Sequence, residues 1–176
     1  MLFRSIVSYD YALWLPDGKQ IIFAGNEAGH LERIYVQQID SESPHAVTPE
    51  GVGGVFYPSP DGKSLIARDA QGKAAIYSVE GNAPPRPIAG FDDKDAITAW
   101  SGDGRLLYVY SWSDGSLKIS SLDLATGRKE PFKELIPADR AGIFYPPAIF
   151  LTPDGKGYVY SVRRYLMDLY LVDGLK

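Results

Sequence analysis

Pro16-Asp17-Gly18-Lys19 is the stretch that decides the fold, because close copies of it return three more times along the chain. The copies are Pro60-Asp61-Gly62-Lys63, Gly102-Asp103-Gly104-Arg105 and Pro153-Asp154-Gly155-Lys156. Their Asp residues are separated by 44 (61 − 17), 42 (103 − 61) and 51 (154 − 103) residues. A period of this length, about 40–45 residues, is typical of tandem units that each form one four-stranded sheet.

Apolar residues alternate on both sides of each turn. In the first copy Ala12 and Trp14 precede Asp-Gly, and Ile21 and Phe23 follow it, each pair two residues apart. A period of two is the pattern of a β-strand. Gly accepts a positive φ and Asp can bond its own backbone, so the turn suits a tight connection. Each copy therefore predicts a β-hairpin.

A third strand is predicted after each of the four hairpins, and a fourth strand in the first three repeats. The third strands are expected at Ile34-Tyr35-Val36, Ile76-Tyr77-Ser78, Ile119-Ser120-Ser121 and Leu169-Tyr170-Leu171. Short fourth strands fit 45–48, 86–89 and 129–132, where prolines suit sheet edges. No segment has the spacing of an amphipathic helix, so we expect at most one helical turn near Ala138-Asp139-Arg140.

The repeat predicts an all-β fold, a β-propeller of four-stranded antiparallel blades with four repeats. Their approximate bounds are 9–50, 51–92, 93–138 and 144–176, and residues 1–8 are interpreted as a strand that completes the last blade. One blade cannot bury both faces of its sheet, so neighbouring blades must pack face to face. We expect four aromatic residues to be buried between blades: Trp14, Phe23, Tyr77 and Trp100.

The pattern Trp-x-Pro-Asp-Gly-Lys, followed by an apolar strand and Ile-Tyr-x-x-Asp/Glu, resembles the WD40-like (PD40) repeat of TolB-type β-propellers. The chain departs from it where Pro58 replaces Trp, Gly102 replaces Pro and Ser120 replaces Tyr. Residues 161–176 resemble the C-terminal end of propeller regions in bacterial serine/threonine protein kinases. No kinase motif is present in the sequence, so this resemblance implies a sensor or docking region.

Composition excludes several partners. A net charge of −4 gives no electrostatic footprint for nucleic acid, and no apolar run is long enough to predict direct membrane insertion. The absence of cysteine suits the periplasm and the cytosol alike, and we favour a periplasmic or other extracytoplasmic location only marginally.

The sequence offers no catalytic residue. It lacks the Gly-x-Ser-x-Gly motif, and neither His30 nor His45 has a carboxylate at a fixed offset that would orient an imidazole base. Two histidines and no cysteine do not make a common zinc site, and Asp92-Asp93-Lys94-Asp95 reads as an exposed acidic turn rather than a calcium loop. We expect no enzyme activity, no metal and no cofactor.

Binding is expected on the face opposite the Asp-Gly turns, where the loops between the second and third strands and between blades converge. The 51-residue step places extra residues on that face, between Phe132 and Pro147. The predicted binding residues are aromatic or basic, types enriched at recognition surfaces. They are Tyr9, Trp112, Tyr145, Arg163, Arg164 and Tyr165.

The leading hypothesis is a non-catalytic scaffold that recognises a protein, a peptide or a small ligand at this face, in a kinase-type sensor or a similar signalling protein. The alternatives are an accessory or gating propeller of a prolyl-oligopeptidase-type hydrolase, and a propeller enzyme. The strand count also favours a homodimer that closes a larger ring through the N-terminal strand.

Overall fold

The computed structural model describes residues 6–41, 43–92, 94–113, 115–143, 148–165, 167 and 170. Within these residues the chain is all β, without a helix. The strands are β1 Ile6–Trp14, β2 Gln20–Glu27, β3 Arg33–Gln38, β4 His45–Ala46, β5 Val52–Pro58, β6 Ser64–Asp69, β7 Ala74–Ser78, β8 Arg86–Pro87, β9 Ala96–Trp100, β10 Leu106–Ser113, β11 Ser116–Asp123, β12 Lys129–Leu135, β13 Ala148–Leu151 and β14 Tyr158–Ser161.

Every Asp-Gly motif turns a hairpin, as predicted. The turns join β1 to β2, β5 to β6, β9 to β10 and β13 to β14, and all four strand pairs are antiparallel. Their glycines have φ between 65° and 71°, in the left-handed region that a side chain disfavours. The position after Asp therefore needs glycine.

Three antiparallel groups of four strands follow in order, and we call them units 1 to 3: β1–β4, β5–β8 and β9–β12. In each unit the Asp-Gly hairpin is extended by a third and a fourth strand, at the predicted positions. The last Asp-Gly copy gives the two-stranded hairpin β13–β14. The third strand predicted at 169–171 lies outside the described residues, apart from Tyr170, which belongs to no strand.

Adjacent units are joined at several points. Arg33 of β3 pairs with Val52 of β5 in a parallel bridge, which links unit 1 to unit 2 in one sheet. The Thr98 hydroxyl of unit 3 donates a hydrogen bond to the Ile149 carbonyl of the last hairpin at 2.7 Å. Among the described strands the sheets form no closed circle.

Apolar side chains are buried between successive units. Each sheet has a near face, turned toward the preceding unit, and a far face, turned toward the next. One core joins the far face of unit 1 to the near face of unit 2, with Ile22 and Phe56 among its members. A second core joins units 2 and 3 through Ile66 and Leu107. A smaller core joins unit 3 to the last hairpin through Ile119 and Ile149.

Two of the four aromatic predictions are confirmed. Tyr77 and Trp100 are buried in the cores between units. Phe23 is buried within unit 1, with Ile6 and Tyr35, and Trp14 is 62% exposed. The alternation of apolar residues in the sequence places Trp14 on the same face of its sheet as Ile21, and the structure agrees, since the two are cross-strand partners on the near face of unit 1. That prediction of burial was wrong because no described unit packs against this face.

The start of the chain also differs from expectation. Ile6 and Ser8 pair with β2, so residues 6–8 extend the inner strand of unit 1, where a separate strand was predicted. Burial of the Ile6 side chain with Phe23 and Tyr35 explains this placement. No helical turn forms at 138–140, which lies within the expectation of at most one.

The segment 51–54, which leads from unit 1 into β5, is held in place by the preceding loop. The Gly54 amide donates to the Glu32 carboxylate at 2.7 Å, and Val52 already belongs to β5.

Candidate functional site

The two ends of the units carry different chemistry. One end, the Asp-Gly face, holds the four Asp-Gly turns. The other, the loop face, holds 28–32 and 70–73 between second and third strands, 47–51 and 88–95 between units, and the segment after β12. Loops on a rigid scaffold commonly carry binding residues.

A polar network occupies the loop face where unit 1 meets unit 2. His30 Nδ1 lies 2.6 Å from Glu50 Oε1, and Arg33 lies 3.7 Å from the same carboxylate. Arg33 also bonds the Tyr35 hydroxyl at 3.1 Å, and its guanidinium lies 4.0 Å from Glu27. We call these five residues the His30 network. It connects the β2–β3 loop of one unit to the connection that enters the next.

The His30–Glu50 contact overturns one conclusion from the sequence. We found no carboxylate at a fixed offset from His30, but the fold brings Glu50 to it from twenty residues away. The hydrogen bond from His30 holds the pKa of the Glu50 carboxyl below its ordinary value, and Arg33 acts in the same direction. Because both side chains are partly exposed, the pair can also meet a ligand.

A second network occupies the next junction on the loop face. Arg68 donates to the carbonyl oxygens of Gly72 and Asp95, both at 2.6 Å, and lies over the Phe91 ring at 5.1 Å. The Asp95 carboxylate is buried and accepts a hydrogen bond from Lys129 at 2.5 Å. Asp95 therefore has a structural role in what was predicted to be an exposed acidic turn.

The predicted binding residues that the structure describes belong to different elements of the chain. Tyr9 is exposed in β1, where it faces Phe23 at 5.7 Å between ring centroids. Trp112 belongs to β10, not to a loop, and packs against the core between unit 3 and the last hairpin. Tyr145 lies outside the described residues.

The three residues predicted after β14 are exposed together. Arg164 binds both the Asp139 carboxylate and, at 2.8 Å, the Asp139 carbonyl, and the Tyr165 amide donates to Gly142 at 2.9 Å. Arg163 is the neighbouring exposed cation. The geometry thus gives Arg164 a structural bond that the sequence pattern did not predict.

The Asp-Gly face repeats one hydrogen-bonding motif that the sequence analysis missed. Ser59 donates to Asp61 and Ser101 to Asp103, each at 2.6 Å, and each Asp also accepts a backbone amide two residues later. Thr152 and Asp154 form the same pair at 2.5 Å. The signal was readable as Ser/Thr-x-Asp-Gly, which unit 1 lacks because Leu15 takes the hydroxyl position.

Two clefts of similar size also repeat on this face. One, of about 470 Å³, lies between the turns of units 2 and 3, and the other, of about 450 Å³, lies between those of units 1 and 2. Asp61 lines both. Their recurrence at equivalent junctions indicates that they arise from the packing of the repeat.

Other kinds of site find little support in the part of the chain that the structure describes. No group of three or more His, Asp or Glu side chains is arranged to hold a metal ion among those residues. The described segments also contain no helix that could cross a membrane.

Comparison with known proteins identifies the fold. No protein-family model matches the chain, and no curated protein matches it. Among solved structures, TolB from Acinetobacter baumannii superposes with a TM-score of 0.59 and 23% identity over 86% of this chain and 37% of that one. A putative TolB from Agrobacterium tumefaciens superposes with a TM-score of 0.58 and 21% identity. The match covers 92% of this chain and 60% of that one.

A prolyl endopeptidase gives a TM-score of 0.55 and 14% identity over 91% of this chain and 26% of that one. The chain thus spans between about a third and three fifths of the two TolB structures. At these identities the likeness concerns the fold. The chain has an all-β fold of the kind found in the TolB β-propellers.

Proposed function

We propose that the chain is a non-catalytic recognition scaffold whose loop face binds a protein or a peptide. The support is a propeller-type fold combined with loop-face chemistry that differs from one junction to the next. The Asp-Gly face, in contrast, repeats the same hydroxyl-carboxylate motif in three copies. Repetition is what folding requires of every unit, whereas variation between units can encode a binding preference.

The His30 network is the observation that carries the proposal. It presents an imidazole, a guanidinium and two carboxylates on one exposed junction, and hydrogen bonds together with longer ion pairs hold them in position before any ligand arrives. Side chains that are already ordered lose less conformational entropy on binding. The network offers both donors and acceptors, which suits the main chain and charged side chains of a peptide better than a purely anionic or cationic ligand.

The finer assignment is also a proposal. We propose that units 1 to 3 and the last hairpin are four PD40-type blades, each four-stranded when complete. A place in the sensor or docking region of a bacterial protein kinase rests on the resemblance of residues 161–176 alone. The likeness to a prolyl endopeptidase favours a second candidate, an accessory or gating propeller beside a hydrolase domain.

The test uses a randomised peptide display library as the probe. Peptides selected on the immobilised 176-residue chain would be titrated by calorimetry against the chain itself and against three variants. His30→Ala and Arg33→Ala remove members of the network, and Lys156→Ala removes an exposed cation from the Asp-Gly face. We expect the selected peptides to lose at least about tenfold in affinity with the first two, equal to about 1.4 kcal/mol, and nothing with the third.

The result that would overturn the proposal is a reversed pattern, with binding insensitive to the loop-face variants and lost in Lys156→Ala. Thermal unfolding of each variant would show that a lost affinity does not come from a lost fold. Selection of no peptide at all would count against a peptide-binding role.

A further inference from the structure

The near face of unit 1 is uncovered around Trp14, whereas the near faces of units 2 and 3 pack against a neighbouring unit. In unit 3, the cross-strand pair Trp100 and Leu107 packs in the core shared with unit 2, and Trp100 is only 8% exposed. The same register in unit 1 pairs Trp14 with Ile21. Trp14 is 62% exposed, although its position relative to the Asp-Gly turn is identical. Unit 1 therefore carries the side chains that form a junction between units, but no described unit packs against them.

A cleft lies next to Ile21, the cross-strand partner of Trp14. It has a volume of about 290 Å³ and is lined, mostly by apolar atoms, by Tyr9, Asp10, Tyr11, Ala12, Ile21 and Phe23. In unit 2 the residue in the Ala12 position is Phe56, which is buried against unit 1. The cleft is thus the place where a neighbouring sheet would put its side chains.

The far face of the last hairpin is also uncovered. Phe150 and Val159 are direct cross-strand partners and so project from the same face, where they are 65% and 64% exposed. Their counterparts in unit 2 are Tyr57 and Ile66, which pack against Trp100 of unit 3. The Tyr57 carbonyl also accepts the Trp100 indole hydrogen bond at 3.0 Å. The hairpin therefore exposes an apolar pair equivalent to the one that packs against Trp100.

We infer that the near face of unit 1 is a docking surface for the far face of the β13–β14 hairpin of a second copy of this chain. In that contact Phe150 and Val159 of one copy pack against Trp14 and Ile21 of the other. The Trp14 indole donates to the Phe150 carbonyl, as Trp100 does to that of Tyr57. Exposed apolar faces of this kind mark association sites, and the contact would cover both of them at once.

A second copy is the occupant favoured by the molecule itself. Both halves of the unit-to-unit junction occur on one chain, in the register used at the junction of units 2 and 3, and both are exposed. The contact joins two different surfaces, so it is heterologous, and two copies close a ring if each contributes both surfaces. This inference concerns assembly and does not depend on the proposed recognition role.

The test begins with the mass of the 176-residue chain in solution, measured by light scattering over a hundredfold concentration range. We expect a species of twice the 19.4 kDa of one chain. Trp14→Arg and Val159→Arg should each weaken this species at least about tenfold, because each places a charge in an apolar contact. Val55→Arg is the matched control, since Val55 is 58% exposed but belongs to neither surface.

Mixing the two arginine variants makes the test specific for a heterologous contact. The hairpin of Trp14→Arg and unit 1 of Val159→Arg are both intact, so the mixture should regain the two-chain species at a concentration where each variant alone is mostly monomeric. This recovery also shows that both variants are folded. A mass of 19.4 kDa throughout, or association unaffected by either substitution, would overturn the inference.

Discussion

The indole Nε1 of Trp100 donates a hydrogen bond to the carbonyl oxygen of Tyr57 at 3.0 Å, across the junction between units 2 and 3. The bond combines with burial of the indole among Ile66, Leu107 and Val109. A buried indole needs a partner for its N–H, and a main-chain carbonyl of the neighbouring sheet supplies one without any side-chain entropy cost. Trp100 therefore fixes both the distance and the register between two units.

Replacing Trp100 with Ala should lower the free energy of unfolding by roughly 3–5 kcal/mol, because the substitution removes a large buried side chain and leaves a cavity. Trp100→Phe is the matched control: it keeps most of the apolar volume and loses mainly the hydrogen bond, worth about 0.5–1.5 kcal/mol. Urea unfolding of both variants gives the comparison. Equal losses for the two would show that packing of the indole contributes little.

The repeat made much of the fold predictable. Spacing and alternation located the four hairpins and the third and fourth strands of units 1 to 3, because each copy must satisfy the same turn and the same sheet. The alternation also assigned Trp14 and Trp100 to the same face. It could not distinguish their burial, since a sequence period gives the side of a sheet and not whether a neighbour covers it.

The site was less predictable for a different physical reason. His30 and Glu50 lie twenty residues apart in two separate loops, and only the packing of unit 1 against unit 2 brings them together. The type of Trp112 suggested a binding residue, but an aromatic side chain near a turn also suits a core, and there it packs. Residue types indicated candidate binding residues, whereas the geometry of the loops determines which side chains come into contact.

Replacing Gly90 with Ala should be more destabilising than most glycine substitutions. Gly90 has a φ of 73°, and an added Cβ would lie 2.0 Å from the carbonyl oxygen of Gly127. Because that atom belongs to the main chain, no side-chain rotation relieves the overlap, and the contact between units 2 and 3 must open.

Gly29→Ala is the matched control for Gly90→Ala. Gly29 has a φ of 81° but no atom within 4 Å of an added Cβ, so only the conformational cost of about 1–2 kcal/mol applies. Thermal and urea unfolding should show a loss at least twice as large for Gly90→Ala. Similar losses in the two variants would mean that the junction adapts to the added methyl group.

The hydroxyl-carboxylate motif predicts sensitivity to acid. Hydrogen bonds, first from the hydroxyl two residues earlier and then from the backbone amide two residues later, lower the pKa of Asp61, Asp103 and Asp154 in the folded chain. A carboxyl group with a lower pKa when folded stabilises the fold above its unfolded pKa, near 4. That contribution is lost as the pH falls through the folded pKa.

The measurement is the free energy of unfolding in urea between pH 6 and pH 2.5. We expect stability to fall below about pH 4, and the fall to become shallower in the double variant Ser59→Ala/Ser101→Ala, which lacks two of the donors. Ser8→Ala, on an exposed part of β1, should keep the profile of the original chain. An unchanged profile in the double variant would show that these hydroxyls do not set the acid response.

Arg164 and Arg163 should separate in their effects, although they are neighbours of the same type. Arg164 holds the 139–143 segment through the Asp139 carboxylate and carbonyl, and next to it the Tyr165 amide bonds Gly142 at 2.9 Å. Arg164→Ala should therefore raise the hydrogen-exchange rate of the Tyr165 amide, whereas Arg163→Ala should leave it unchanged. Because the ion pair is exposed, the free energy of global unfolding should change little in either variant. Equal protection of the Tyr165 amide in both variants would contradict the structural role of Arg164. Both arginines would then remain equal candidates for binding. Faster exchange in Arg164→Ala alone would leave Arg163 as the better arginine for a binding test at this end of the chain.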